Sequence, residues 1–213
     1  MRARYGIFVR PVSTFRGLVS HWAASLYDGY YGIETDKRGY QAPPAGESIP
    51  YDPAEPKYLR QVFRLLSALN LKEFTFVDFG SGKGRVLVAA ASHAFKTVIG
   101  VELCSDLHLA AVKNISKARR LRCQSVVSVN MDARDFSIPQ TPCVLFFYNP
   151  FIGAIMEKVL SNIRESLRAH PRPAFVIYLN PRLHEAFMRK NGVELVRSVN
   201  WCNFYRWDCS PLS

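Results

Sequence analysis

The sequence predicts an α/β fold, an open and mostly parallel sheet with helices packed on both faces. Three observations predict it. Largely apolar runs at Phe74–Phe79, Cys143–Tyr148 and Ala174–Leu179 read as buried strands, and Cys143–Tyr148 is apolar throughout, as a central strand covered on both faces must be. The first run breaks into Gly80-Ser81-Gly82-Lys83-Gly84 and then enters the helix-forming Val86–Ala91, a strand, a tight turn and a helix. Near the end, Val193–Ser198 and Phe204–Cys209 flank a short connection, which predicts an antiparallel hairpin at the sheet edge.

A chain of 213 residues can bury a sizeable core and suits one domain, here 51–213, preceded by a short appendage, 1–50. Apolar residues make up 48% and charged residues 21%, as in a globular protein in water. No run approaches the ~18 apolar residues of a spanning helix, which excludes a membrane-embedded protein. The five cysteines (Cys104, Cys123, Cys143, Cys202, Cys209) are odd in number and show no C-x-x-C pairing. That pattern predicts reduced core thiols in a cytoplasmic protein, with neither disulfides nor a metal site. An excess of 28 Lys and Arg over 17 Asp and Glu predicts an acidic partner: nucleic acid, an anionic surface or an acidic protein.

Residues 1–27 carry Arg2, Arg4, Arg10 and Arg16 and no acid. Phe15, Val19, Trp22 and Leu26 recur at helical spacing, so the segment reads either as an amphipathic helix laid across the domain or as an organellar presequence. The stripe runs straight into Tyr27–Gly32, which favours the helix. Prolines 43, 44, 50 and 53 mark a linker or lid. Asp52, Pro53 and Glu55 have the form of a helix start, with an apolar face of Leu59, Val62, Leu66 and Leu69 to follow.

The glycine turn is informative by its spacing. A dinucleotide fingerprint requires G-x-G-x-x-G, but Gly84 arrives one residue early. A phosphate-cradling G-x-x-x-x-G-K-[ST] loop fails because Val77 stands at its first glycine and Gly84 follows Lys83. What remains is G-x-G-x-G with Asp78 two residues ahead, the glycines allowing a ligand to lie against the peptide groups. The next strand, Thr97–Val101, ends on Glu102, about 20 residues beyond the loop, where a carboxylate that grips ribose hydroxyls belongs.

A helix is expected from about Asp106 to Arg122, its end rich in Lys113, Lys117, Arg119, Arg120 and Arg122. Attraction to the free carbonyls of the helix end accounts for that cluster at least as well as an RNA-binding patch does. The strand Ser125–Val129 leads into Asp132, Ala133 and Asp135. The apolar strand Cys143–Tyr148 ends on Asn149-Pro150-Phe151, a helix follows over about Gly153–Ala169, Ala174–Leu179 ends on Asn180-Pro181, and a short helix spans about Arg182–Asn191. Ligands of open α/β sheets bind beyond the carboxyl ends of the strands, which puts Asn149 opposite Asp78.

The loop, the acid before it and the acid after the next strand resemble motif I and its sequel in the class I S-adenosylmethionine-dependent methyltransferases. The resemblance covers about Ile49 to the C-terminus and implies a Rossmann-like seven-stranded sheet whose last strand inserts antiparallel. It implies S-adenosyl-L-methionine as cofactor, with Gly80, Ser81, Gly82 and Gly84 against its methionine part and Asp78 on its amino group. It further implies Glu102 with Leu103 at the ribose, Asp132 and Ala133 at the adenine with Asp135 as the alternative register, and Tyr51 in a lid. Asn149-Pro150-Phe151 resembles the [DNS]-P-P-[YF] motif of amino-group methyltransferases with one proline missing; there the polar side chain and the first proline's carbonyl accept from the target amine and the ring packs alongside. An ordinary Asn-Pro turn is the competing reading.

The phrasing around Tyr51, Asp78 and Glu102 is similar to the lysine methyltransferases of the mitochondrial translocase and ATP synthase c-subunit type, to histone lysine methyltransferases without a SET domain, and to compact bacterial proteins. The expectation is therefore an N-methyltransferase acting on a protein side-chain amine. Methylation of RNA or a small molecule, and a basic nucleic-acid-binding module that keeps the fold without catalysis, are the alternatives.

Overall fold

The computed structural model describes residues 15–37, 49–190 and 192–208. The arginines before residue 15, prolines 43 and 44 and Cys209 lie outside them. Helix α1 (Phe15–Tyr31) and helix α2 (Pro56–Leu65) precede the strand–turn–helix unit β1 (Thr75–Phe79) and α3 (Arg85–Ala91). Then follow β2 (Thr97–Glu102), α4 (Ser105–Lys117), β3 (Val126–Asn130), β4 (Cys143–Phe147), α5 (Gly153–Ala169), β5 (Ala174–Leu179), α6 (His184–Met188), β6 (Val193–Val199) and β7 (Cys202–Trp207).

The seven strands form one sheet in the order β3-β2-β1-β4-β5-β7-β6. Pairings from β3 through β5 are parallel, whereas β7 runs antiparallel to both its neighbours, β5 and β6. The final strand thus inserts into the sheet, and the expected hairpin is present with β6 at the edge.

β1 and β4 are buried from end to end, because apolar layers cover both faces. Phe76, Val144 and Phe146 face one layer with Leu59, Val62 and Leu66 of the α2 segment and Leu87 of α3. Val77, Phe79, Leu145 and Phe147 face the other layer with Val159, Leu160 and Ile163 of α5. Successive residues thus supply opposite cores, as the period of a strand dictates.

Three elements differ from expectation. α2 begins at Pro56, its N-cap is Glu55, and no side chain caps it. Asp52 instead pairs with Lys37 and accepts from the Tyr148 hydroxyl at 3.3 Å, so partners distant in sequence outbid the local cap. α4 stops at Lys117, and Arg119, Arg120 and Arg122 lie beyond it, with Arg120 in a left-handed conformation at φ 64°. Arg119 still lies close to the Lys117 carbonyl that ends α4, whereas the Arg120 guanidinium lies over the Tyr30 ring. Along α1, Trp22 and Leu26 are 68% and 72% exposed. The helix docks through its last turns, where Tyr27 and Tyr31 pack at 4.8 Å and Asp28 is buried.

Asp28 is buried because Arg85, also buried, meets it: Arg85 Nε lies 3.1 Å from Asp28 Oδ1 and Nη2 lies 3.2 Å from Oδ2. Arg85 also donates to Thr35 Oγ1 at 2.6 Å and to the Ala54 carbonyl at 3.1 Å. A buried guanidinium needs this many acceptors to offset its desolvation. The network fastens residues 28–35 and 54 to the first turn of α3, directly behind the glycine bend.

Candidate active site

Strand order reverses between β1 and β4, since β2 and β3 lie to one side and β5 to the other. In open α/β sheets the crevice that binds ligands lies beyond the carboxyl ends of such neighbours. Asp78, the glycine bend, Glu102 and Asn149 all stand at these tips.

The bend is held from inside. The Gly80 and Ser81 amides donate to the Val101 carbonyl at 2.8 and 3.1 Å, and the Gly84 amide to Ser81 O at 2.9 Å. The Gly82 amide donates to Glu102 Oε2 at 2.8 Å. The loop therefore offers a ligand its surface rather than these N–H groups. Gly80 and Gly82 take positive φ of 76° and 54°, and their surroundings leave no room for side chains. A Cβ on Gly80 would sit 2.5 Å from Pro150 Cβ, and one on Gly82 would sit 2.3 Å from the Tyr51 ring. Tyr51 and Pro150 thus close on the bend from two sides. Gly84 differs, because its nearest neighbour is Ala111 of α4 at 3.2 Å, so its small size serves helix packing.

Asp78 is 2% exposed and its Oδ2 has no hydrogen-bond partner among the described residues, nor has the buried Ser81 Oγ. Burial, reinforced by the Glu102 charge, pushes the Asp78 carboxyl well above the usual carboxylate range. Glu102 is raised by burial as well, opposed by the amides that donate to it, including Cys104 N–H on Oε1 at 2.9 Å. Tyr51 anchors its hydroxyl on the Thr35 carbonyl at 2.7 Å, and Lys83 Nζ lies 5.7 Å from the centre of its ring.

After β3, Asp132 is clamped by Arg134, whose amide, Nε and Nη2 approach it at 2.8, 3.1 and 2.6 Å. Arg134 holds the Asp132 carboxyl below its usual range. The turn lies against the tip of β2, with Met131 N–H donating to Glu102 O at 3.0 Å. Ala133 is buried, Asp135 exposed, and Leu103 exposed beside Glu102.

Asn149 is buried in a left-handed conformation, φ 44°, and its Oδ1 accepts from the Tyr178 hydroxyl at 3.0 Å. The Pro150 carbonyl accepts from Ile49 N–H at 3.1 Å, so one of its lone pairs is engaged. Phe151 does not line the crevice. Its ring is buried edge-on to Phe147 at 6.4 Å, because the turn at Asn149 returns it to the α5-side core. Tyr178 and Arg134 are contacts that the sequence reading missed. Tyr178-Leu179-Asn180-Pro181 ends β5 as Tyr148-Asn149-Pro150 ends β4, and that echo was the available signal.

Among the described residues, no group of three or more His, Cys, Asp or Glu is placed to hold a metal ion, and no helix is long and apolar enough to cross a membrane. Cys104, Cys123, Cys143 and Cys202 are free thiols.

Comparison with known proteins places this architecture. No protein-family model matches the chain, and a search of curated proteins finds no match. Solved structures do match. An RNA methyltransferase from Salinibacter ruber, in complex with S-adenosyl-L-homocysteine, is 18% identical, with 76% of this chain and 97% of that one covered at a TM-score of 0.51. A provisionally assigned RNA methyltransferase from Pyrococcus horikoshii is 14% identical over 88% of this chain and 96% of its own, at a TM-score of 0.58. A provisionally assigned methyltransferase from Escherichia coli is 16% identical over 81% and 94%, at 0.56. The fold is the Rossmann-like fold of the class I S-adenosylmethionine-dependent methyltransferases.

Proposed function

We propose that the protein is an S-adenosylmethionine-dependent N-methyltransferase. The observation that carries this reading is Asp78, a buried carboxyl group whose Oδ2 has no hydrogen-bond partner among the described residues, at the strand-order reversal beside the glycine bend. An uncompensated buried carboxylate is costly, and a ligand ammonium is the group that relieves the cost.

The residues present fit the cofactor. Asp78 would hold its amino group, with Ser81 Oγ as a second polar atom, and the glycine bend, with Tyr51 and Pro150 packed on it, would border its methionine part. Each Glu102 oxygen already accepts one amide and keeps a lone pair for a ribose hydroxyl. Asp132 and Ala133 would border the adenine, with Arg134 keeping the carboxylate ionised. When bound, the cofactor supplies an electrophilic methyl group on sulfonium.

The chain's own contribution is orientation and exclusion of water. With one lone pair of Asn149 Oδ1 fixed on Tyr178, the other can accept an acceptor N–H and aim the nitrogen lone pair. The Pro150 carbonyl has a second lone pair for the same use.

The acceptor's protonation state narrows its class. Asp52 pairs with Lys37, and burial together with the Asp52 charge keeps the Tyr148 hydroxyl protonated, so neither is suited to take a proton from an ammonium. The site therefore favours an amine already uncharged at neutral pH. A lysine side chain, which the Asn-Pro-Phe resemblance favours, would have to lose its proton on desolvation.

Calorimetry and transfer of labelled methyl from S-adenosylmethionine test the reading. Asp78→Ala is expected to abolish cofactor binding, whereas Asn149→Ala keeps binding and loses turnover. Unchanged binding in both Asp78→Ala and Glu102→Ala would overturn it.

A further inference from the structure

The basic surplus is not spread evenly. Between α2 and the β6–β7 hairpin lies a groove of ≈ 510 Å³ lined by Lys57, Arg60, Gln61, Arg64, Arg197 and Asn200, with no carboxylate among its lining residues. Lys57 pairs with Glu55 at 2.7 Å, while Arg60, Arg64 and Arg197 are exposed and make no ion pair among the described residues. Arg64 is in the last turn of α2, where helix carbonyls attract a cation. Arg60 and Arg197 have no such anchor. Three like charges converging on one concavity repel one another, an arrangement that a polyanion relieves.

The groove shares its hairpin edge with the end of β5. The hairpin turn at its edge is tied to α2 by Gln61 Nε2, which donates to Val199 O at 2.7 Å. It is tied to the end of β5 by Asn180 N–H, which donates to Trp201 O at 2.6 Å. Trp201 is 48% exposed and stacks on Tyr58 with ring centres 6.4 Å apart. Tyr58 in turn lies close enough to Tyr148, the neighbour of Asn149, to help raise its hydroxyl pKa. The Tyr58–Trp201 pair therefore sits between the basic groove and the end of β5.

We propose that this groove binds the sugar–phosphate backbone of a single-stranded RNA that carries the acceptor amine. Arg60 and Arg64 are one turn apart on α2, about 6 Å along its axis, so neighbouring phosphates can each meet a guanidinium. Arg197 faces them from the hairpin, and the Tyr58–Trp201 pair offers a platform on which an unpaired base stacks. The exocyclic amine of a nucleobase is uncharged at neutral pH, so no proton need be removed before it attacks the sulfonium methyl; the N-methylated base then gives up its extra proton to solvent and S-adenosylhomocysteine leaves. An amine in a duplex stays stacked out of reach, so the groove and the chemistry both call for a single strand. The proposal deepens the methyltransferase reading and rests on it.

The test measures binding of a fluorescein-labelled, mixed-sequence single-stranded oligoribonucleotide by anisotropy as a function of salt. The full chain is compared with the triple variant Arg60→Glu, Arg64→Glu, Arg197→Glu. Affinity is expected to fall at least about tenfold near 0.1 M salt, and the slope of log affinity against log salt to flatten by about 2, at roughly 0.7 per lost phosphate contact. S-adenosylmethionine affinity should be unchanged in the same variant, and methyl transfer to RNA should fall with RNA affinity.

A matched triple variant at the other basic cluster, Lys113→Glu, Arg120→Glu, Arg122→Glu, should keep most of the affinity. Equal losses in the two variants would show that bulk charge alone binds RNA and would overturn the proposal. So would unchanged RNA binding in the groove variant, or methyl label entering protein with undiminished rate when the groove is reversed. Failure of the underlying reading looks different: the wild-type chain would bind no S-adenosylmethionine whatever its affinity for RNA.

Discussion

The backbone amide of Gly82 donates to Glu102 Oε2 at 2.8 Å, so the side chain that closes β2 also fixes the bend that closes β1. The other oxygen, Oε1, accepts from Cys104 N–H at 2.9 Å and steadies the approach to α4. An acid in this place is therefore a structural clasp before any ligand arrives. It holds the bend in the one shape that fits between Tyr51 and Pro150.

Glu102→Ala is expected to strand both amides without acceptors. At about 1–3 kcal/mol for each unsatisfied buried group, the combined loss should be about 2–6 kcal/mol. Glu102→Gln keeps one oxygen and should lose about half as much. Urea denaturation with and without S-adenosylmethionine separates this cost from loss of cofactor affinity. A Glu102→Ala midpoint equal to wild type would mean that the acid does nothing for the bend.

Asp78 carries the opposite trade. Its carboxyl is pushed well above the ordinary range by burial and by Glu102, so the folded chain holds the proton more tightly than the unfolded chain does. The resulting stabilisation is complete below the unfolded value of about 3.9 and is lost as pH rises toward the raised folded value. A ligand ammonium needs the ionised form, so cofactor affinity should rise with pH over the same window. Asp78→Asn removes the titration and is expected to melt higher than wild type at neutral pH while binding the cofactor poorly. Melting curves between about pH 5 and 8 check both signs. Parallel curves for the two proteins would show that Asp78 bears no such burden.

What the sequence revealed was local. Asp78, Gly80 and Gly82 lie within one turn of chain and are fixed by the backbone angles of that turn, so spacing alone placed them at the end of β1. Glu102 and Asn149 were placed at the ends of β2 and β4 because consecutive strands end on the same side of a parallel sheet.

The rest depended on pairings across the chain. Arg85 meets Asp28 from 57 positions away, and nothing near either residue marks it. Asp52 has the local form of a helix cap, yet Lys37 and Tyr148 claim it, and α2 starts four residues later. The apolar spacing of Trp22 and Leu26 fits a buried stripe, but both side chains are exposed. Phe151 was read as a crevice ring because periodicity says nothing about the left-handed turn at Asn149 that sends it inward.

Tyr178 gives the sharpest test of how that turn works. Leu183 N–H approaches the Tyr178 oxygen at 3.4 Å as a donor, which leaves the hydroxyl proton directed at Asn149 Oδ1, 3.0 Å away. Burial pushes the Tyr178 hydroxyl up to about 12, so the proton stays in place across the working pH range. Tyr178→Phe deletes this bond and lets the Asn149 amide rotate, with a stability cost of about 1 kcal/mol. Turnover is expected to fall about 10- to 100-fold while the dissociation constant for S-adenosylmethionine stays within about twofold, since on the proposed reading Tyr178 acts through Asn149 and the cofactor is held by residues at the ends of β1, β2 and β3. Adding Asn149→Ala to Tyr178→Phe should then cost less than Asn149→Ala alone, the mark of two residues acting as a unit. Full additivity, or a loss of cofactor affinity as large as the loss of turnover, would reduce Tyr178 to a packing residue of β5.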